Sequence, residues 1–179
     1  TRFVDGGFWC WWDRIEYAIS RSPRSSVALE LDGGSVRMEW ECQTDRYAAI
    51  DSITERLKRV PDAQRHAVLD RLGALLDVEI PAAPPPAFAA MSWDEVRRLE
   101  GAGVEFGPHS RSHSVLSRIG DDAARDEIMG SWGDLRRECR SPVSVFCYPN
   151  GMEEDYGPRD AQLVRDAGLQ GALAVYQGY

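Results

Sequence analysis

Val104-Glu-Phe-Gly-Pro-His-Ser-Arg-Ser-His113 is the stretch on which the fold turns. Val104-Glu-Phe106 alternates like a short strand, and Gly107-Pro108 ends it, so the histidines at 109 and 113 fall in a strand-end loop. Just upstream, Ser92-Trp-Asp-Glu95 is a capping box that opens a helix through Leu99, which Gly101 and Gly103 end. Downstream, residues 121–137 run from acidic to basic and place Ile128, Trp132 and Leu135 on one helical face. Val143-Ser-Val-Phe-Cys147 then reads as a strand that ends at Tyr148-Pro-Asn-Gly151. A helix over residues 159–167, closed by Gly168, and a strand at Ala172-Leu-Ala-Val175 complete the run. This alternation predicts parallel strands joined by crossover helices. Sites in such folds lie at the carboxyl ends of the strands, where both the histidine loop and the Tyr148–Gly151 loop fall.

The N-terminal half has a different pattern. Phe8-Trp-Cys-Trp-Trp12 opens an amphipathic helix with Trp11, Ile15 and Ile19 on one face. Tryptophans can stack on sugars, but this spacing favours packing into a core. Val27, Leu29 and Leu31, then Val36, Met38 and Trp40, alternate about Asp32-Gly-Gly34 and predict a hairpin. Two helices come next. One has Ile50, Ile53 and Leu57 on its face and Thr44 as N-cap; the other has Pro61 in its first turn and Val68, Leu72 and Leu75 or Leu76 on its face. His66, in the second of these, reads as a surface or packing residue. Pro81-Ala-Ala-Pro-Pro-Pro86 reads as a stiff extended connector.

The chain has 179 residues, 21 Lys+Arg against 29 Asp+Glu, and a net charge of -8. The acidic balance argues against a nucleic-acid partner, which needs a basic patch. A hydrophobic fraction of 43% is enough to build a core. No apolar run approaches the roughly 20 residues of a transmembrane segment. Thr1 and the apolar stretch from Gly171 to Tyr176 read as cut ends of a longer protein, which leaves the compartment undetermined. The cysteines at 10, 42, 139 and 147 match no zinc ribbon or disulfide framework and read as buried thiols.

Neutral imidazole is the commonest metal ligand, and His109 and His113 can converge on one ion if the segment makes a single turn. The same spacing suits two solvated histidines on a loop. Ser110 could fix such a turn through a local hydrogen bond.

Trp93-Asp-Glu-Val96, Leu99, the run from Gly101 to His113, and Phe146-Cys-Tyr-Pro-Asn-Gly151, taken in order, resemble the polysaccharide deacetylase (NodB-homology, carbohydrate esterase family 4) domain. The resemblance covers about residues 91–176 and, more faintly, residues 1–20. It implies an α/β fold, here a partial, distorted (β/α) barrel carrying a β-hairpin and helical insertion. Its parts would be an early barrel element at 1–20, an insertion at 21–87 that could serve as a lid or subunit contact, and a barrel core at 88–179. The implied activity is metal-dependent removal of N-acetyl groups from amino sugars in a polysaccharide or glycan, with zinc the usual metal. His109 and His113 would be two metal ligands, and Ser110 would steady their loop. Tyr148, Pro149 and Gly151 would wall the substrate groove, and the backbone N–H of Asn150 would hold the oxyanion.

The chain departs from the family in several places. The Thr-Phe-Asp-Asp motif that carries base and third ligand is not found; Val4-Asp-Gly-Gly7 is only an echo, with Asp5 as a weak replacement ligand. No histidine comes after 113, so the acid is missing too. Cys147 stands where many members have an arginine, and Asn150 where they have an aromatic. Cys147 is a supporting residue, or the third ligand of a His₂Cys site. The chain alone is therefore expected to be catalytically incomplete. Two other readings stay open: an amidohydrolase of another N-acyl substrate, and a non-catalytic glycan-binding or scaffold barrel.

Overall fold

Two sets of apolar side chains, one on each side of the proline-rich connector, build separate cores. The computed structural model describes residues 1–6, 8–31 and 34–175. It divides into one unit of Trp9–Phe88 and another of Thr1–Phe8 with Ala89–Tyr179.

The Trp9–Phe88 unit holds helix α1 (Trp11–Arg21), strands β1 (Ser26–Leu31) and β2 (Gly34–Glu39), and helices α2 (Gln43–Arg59) and α3 (Asp62–Leu76). β1 and β2 pair antiparallel, with Val27 opposite Met38 and Leu29 opposite Val36. The predicted turn residues Asp32 and Gly33 lie outside the described residues. Val27, Leu29 and Leu31 point from β1 into a core shared with Trp11, Ile15 and Ile19 of α1, Ile53 and Leu57 of α2, and Leu69, Leu72 and Leu76 of α3. Trp11 is buried here, so it is a packing residue and not a sugar platform. α1 thus packs with the hairpin and helices, and the division falls at Trp9 and Phe88 beside the stretch 21–87 marked in the sequence.

Local caps differ from expectation. α2 is capped at Cys42, not Thr44, because the Asp45 carboxylate accepts from the N–H groups of Glu41 (3.0 Å) and Cys42 (3.1 Å). Pro61 is the N-cap of α3 and stands just before its first turn. Arg65 is buried in α3, where Asp62 pairs with it and the Trp11 ring lies 5.1 Å from its guanidinium carbon. His66 is a surface residue 3.3 Å from Asp62. All four cysteines are free thiols, but only Cys139 is buried.

In the other unit, α4 (Trp93–Gly101) opens on the expected capping box: Glu95 N–H donates to Ser92 Oγ, and Ser92 N–H donates to the Glu95 carboxylate. α5 (Asp121–Arg125) leads through a wide π turn at Asp126–Gly130 into α6 (Ser131–Glu138). β3 (Val145–Cys147), α7 (Pro158–Asp166) and β4 (Gly171–Leu173) form a strand–helix–strand unit whose strands pair in parallel, as the alternation predicts. Its core joins Leu116, Ala124, Ile128, Phe146, Tyr148, Leu163, Val164 and Leu169.

Three expectations change here. Residues 104–106 form no strand. The segment is held beside β3 by Val143 N–H to Phe106 O (2.8 Å) and Cys147 N–H to Pro108 O (2.9 Å), and Pro108 has no N–H to extend a ladder. Gly107 permits this approach, since a Cβ there would stand 3.1 Å from the Val145 carbonyl. The helix at 121–137 is interrupted by the π turn, and the strands at 143–147 and 172–175 shrink to three residues each. Among the described residues the architecture is mixed α/β with two two-stranded sheets and no closed barrel. No helix among them is long and apolar enough to cross a membrane.

Candidate active site

The histidine loop and the Tyr148–Gly151 loop meet at the end of β3. His109 Nδ1 lies 2.8 Å from the carbonyl oxygen of Cys147. A carbonyl only accepts, so Nδ1 carries the hydrogen and Nε2 keeps its lone pair, the tautomer of a metal-binding imidazole braced by an outer partner. The rings of His109 and His113 stand edge to face with centroids 4.8 Å apart.

A tight turn holds them so close. Ser110 is buried and left-handed (φ 62°), and its Oγ accepts from the His113 N–H at 2.9 Å. His113 is left-handed as well (φ 58°). Ser110 thus ties the two ends of the turn together.

The outer side of the turn rests on the π turn and α6. Glu127 is buried, and one carboxylate oxygen accepts from the N–H groups of Arg111 and Ser112, both at 2.8 Å; the other accepts from the Ser112 hydroxyl. The Arg111 guanidinium reaches Asp134 at 3.0 Å and Asp126 at 2.8 Å, and Arg137 also pairs with Asp134 at 2.8 Å. Burial would raise the Asp134 carboxyl, but hydrogen bonds from Arg111, Thr1 and Arg137 outweigh it and hold the group down at about 2. The sequence reading missed Glu127 and Asp134. Glu127, Ser131 and Asp134 fall at i, i+4, i+7 and all three are buried, but in a segment this rich in charge the spacing does not set them apart.

The second loop has its own constraint. Tyr148 N–H donates to Leu173 O (3.1 Å), and Gly151 N–H to Pro149 O (2.7 Å). Tyr148 is buried against Phe146 and stacked on Tyr156 at 3.9 Å, so its ring packs the loop base; Pro149 and Gly151 are buried beside it. Asn150 is left-handed (φ 60°), and its backbone N–H meets no acceptor among the described residues.

His109 and His113 suit a divalent metal in ring nitrogen chemistry and spacing, but they supply only two side chains. No group of three or more His, Cys, Asp or Glu able to hold a metal exists among the described residues. Two replacement ligands are thereby corrected. Cys147 engages His109 through its main-chain oxygen, and burial pushes its thiol up. Asp5 accepts from the Trp93 N–H at 3.0 Å, at the start of α4. Gly7 of the echo motif lies outside the described residues.

The parallel β3–β4 pair carries the left-handed Tyr148–Gly151 loop at its carboxyl end, with the histidine loop held beside it, and this arrangement defines an α/β unit with its candidate site at a strand end. The family model described as polysaccharide deacetylase matches residues 73–172, from the last turn of α3 to β4. That is more than half of the chain, and the chain belongs to this family. No curated protein and no solved structure matches it.

Proposed function

We propose that the chain is the metal-binding part of a deacetylase that removes N-acetyl groups from the amino sugars of a polysaccharide or glycan, built on a distorted (β/α) barrel of the family type. The observation that carries this is the hydrogen bond from His109 to Cys147 O, because it ties the histidine motif to the Tyr148–Gly151 motif. His109 and His113 would hold the ion, zinc in the first instance, with Ser110 fixing their loop. When bound, such an ion lowers the pKa of a coordinated water and polarises an amide carbonyl. Asn150 presents its N–H to the oxygen that gains charge as the carbonyl is attacked, a donor that strengthens as the charge develops. Pro149 and Gly151, seated on the buried Tyr148 ring, would set the course of the backbone that walls the sugar groove.

A base must take the water's proton and an acid must return one to the departing amine. The family's Asp-Asp and late His motifs are not among these 179 residues, so we read the chain alone as catalytically incomplete. Calorimetric zinc titration and acetate release from N-acetylated chito-oligosaccharides test both halves of the reading. Zinc binding lost in His109→Ala, with no acetate released by the chain, is expected. Zinc binding indifferent to His109→Ala would overturn the metal site, and acetate release by the chain would overturn its incompleteness. The missing motifs also support a second reading, a glycan-binding or scaffold domain; it predicts glycan binding unchanged by chelator. An N-acyl substrate other than a sugar polymer would show as hydrolysis confined to small amides.

A further inference from the structure

We propose that Glu127 is the positioning residue of the histidine loop: its buried carboxylate fills an anion nest formed by the Arg111 and Ser112 amides and so sets the placement of His109 and His113. The proposal rests on reading those histidines as metal ligands. Where a residue turns left-handed, as Ser110 does at φ 62°, successive N–H groups can converge on one side of the chain and make a concavity for an anion. Here the anion is internal. Glu127 Oε2 receives both N–H groups at 2.8 Å, and Oε1 receives the Ser112 hydroxyl.

Glu127 is only 6% exposed. A buried charge is costly unless it is hydrogen-bonded, and no ion pair reaches Glu127 among the described residues. Its hydrogen bonds all come from the loop, and the loop's two inward amides go to it. Asp134 differs, since from this loop it binds only the side chain of Arg111. The π turn makes this geometry: it buries the adjacent residues Glu127 and Ile128 together, Ile128 in the apolar core and Glu127 against the loop. Ser110 braces the turn from within, Glu127 from outside, and the histidines stand at its two ends.

The test uses the chain with Glu127→Gln and Glu127→Ala, read by amide hydrogen exchange and by zinc titration, with sodium acetate as a replacement anion. Exchange at the Arg111 and Ser112 amides is expected to rise about tenfold or more in both variants, with the amides of Leu163 and Val164 in α7 unchanged. Zinc affinity is expected to fall roughly 10- to 100-fold, as for other residues that orient ligands. Acetate restores both in Glu127→Ala, where the nest is empty, and neither in Glu127→Gln, where the amide fills it. Unchanged exchange at the two loop amides would overturn the proposal. So would failure of acetate to act on Glu127→Ala, or a rise throughout α7 in both variants, which would make Glu127 a residue of the whole fold. Zinc binding unaltered in His109→Ala would remove the metal reading alone, and the exchange data would still decide the role of Glu127.

Discussion

Cys147 meets His109 through a backbone oxygen, so its side chain can change without touching the bond. Cys147→Ser is expected to leave zinc affinity unchanged in calorimetry; a clear loss would restore the thiol as a ligand. Ser110 is the opposite case, because its hydroxyl is the acceptor for the His113 N–H in a buried turn. Ser110→Ala is expected to cost about 1–3 kcal/mol in urea denaturation and to weaken zinc binding with it. Asp134 carries a pH signature. Its folded carboxyl titrates near 2, below its ordinary value of 3.8, so between those values the unfolded chain binds more protons than the folded one. The stability it contributes, about 2 kcal/mol, is therefore full above about pH 5 and lost as pH falls towards 2. Denaturation midpoints across that range should fall for the parent and flatten for Asp134→Asn. At this scale the sequence singled out His109, Ser110 and His113 together, because their motif is contiguous. Glu127 stayed hidden because its ligands, two main-chain N–H groups, leave no mark in the side-chain pattern.

The π turn is the element that most distinguishes the site. Gly130 lies under the Arg111 side chain, and a Cβ there would stand 2.7 Å from Arg111 Cδ and 2.9 Å from its Nε. Arg111 has little room to retreat, since Asp126 and Asp134 hold its guanidinium. Gly130→Ala is expected to lower stability by about 1–3 kcal/mol and to broaden the thermal transition of this unit, measured by circular dichroism. An unchanged transition would mean that the guanidinium swings clear. Capped amphipathic helices such as α4, and the β1–β2 hairpin, were legible because side-chain periodicity sets them directly. The interruption of the helix at 121–137 was not, because one extra residue in a turn rotates the face of the succeeding turns without altering the residue types. The failed strand at 104–106 has a similar cause: alternation is present, but the segment through Pro108 is held by one backbone bond from Cys147 of β3 and one from Val143 just before it.

Across the whole molecule, the apolar clusters of the two units share no residue. A cavity in one core should therefore loosen that core first. Ile53→Ala removes a fully buried side chain of the Trp9–Phe88 unit and is expected to destabilise it by about 2–5 kcal/mol. Hydrogen exchange should rise in α2 and α3 and stay low in α7; equal rises in both would show a single cooperative unit. The sequence marked residues 21–87 as distinct because its pattern changes after the prolines. It placed α1, within residues 1–20, in the early barrel element rather than with the hairpin, since Trp11, Ile15 and Ile19 make a face that fits either core until the partners are known.

Five non-glycine residues among those described adopt left-handed backbone, and three of them, Ser110, His113 and Asn150, belong to the two motifs of the site. Such conformations are disfavoured for any residue with a Cβ, and they persist because their surroundings hold them. A selection for heat resistance would thus be drawn to glycine at His113 and Asn150, whereas at Ser110 the lost hydroxyl bond offsets the relief. Variants that win it there would trade the site's order for thermal robustness, so a thermostable lineage of this chain should be screened for zinc binding before it is used as a scaffold.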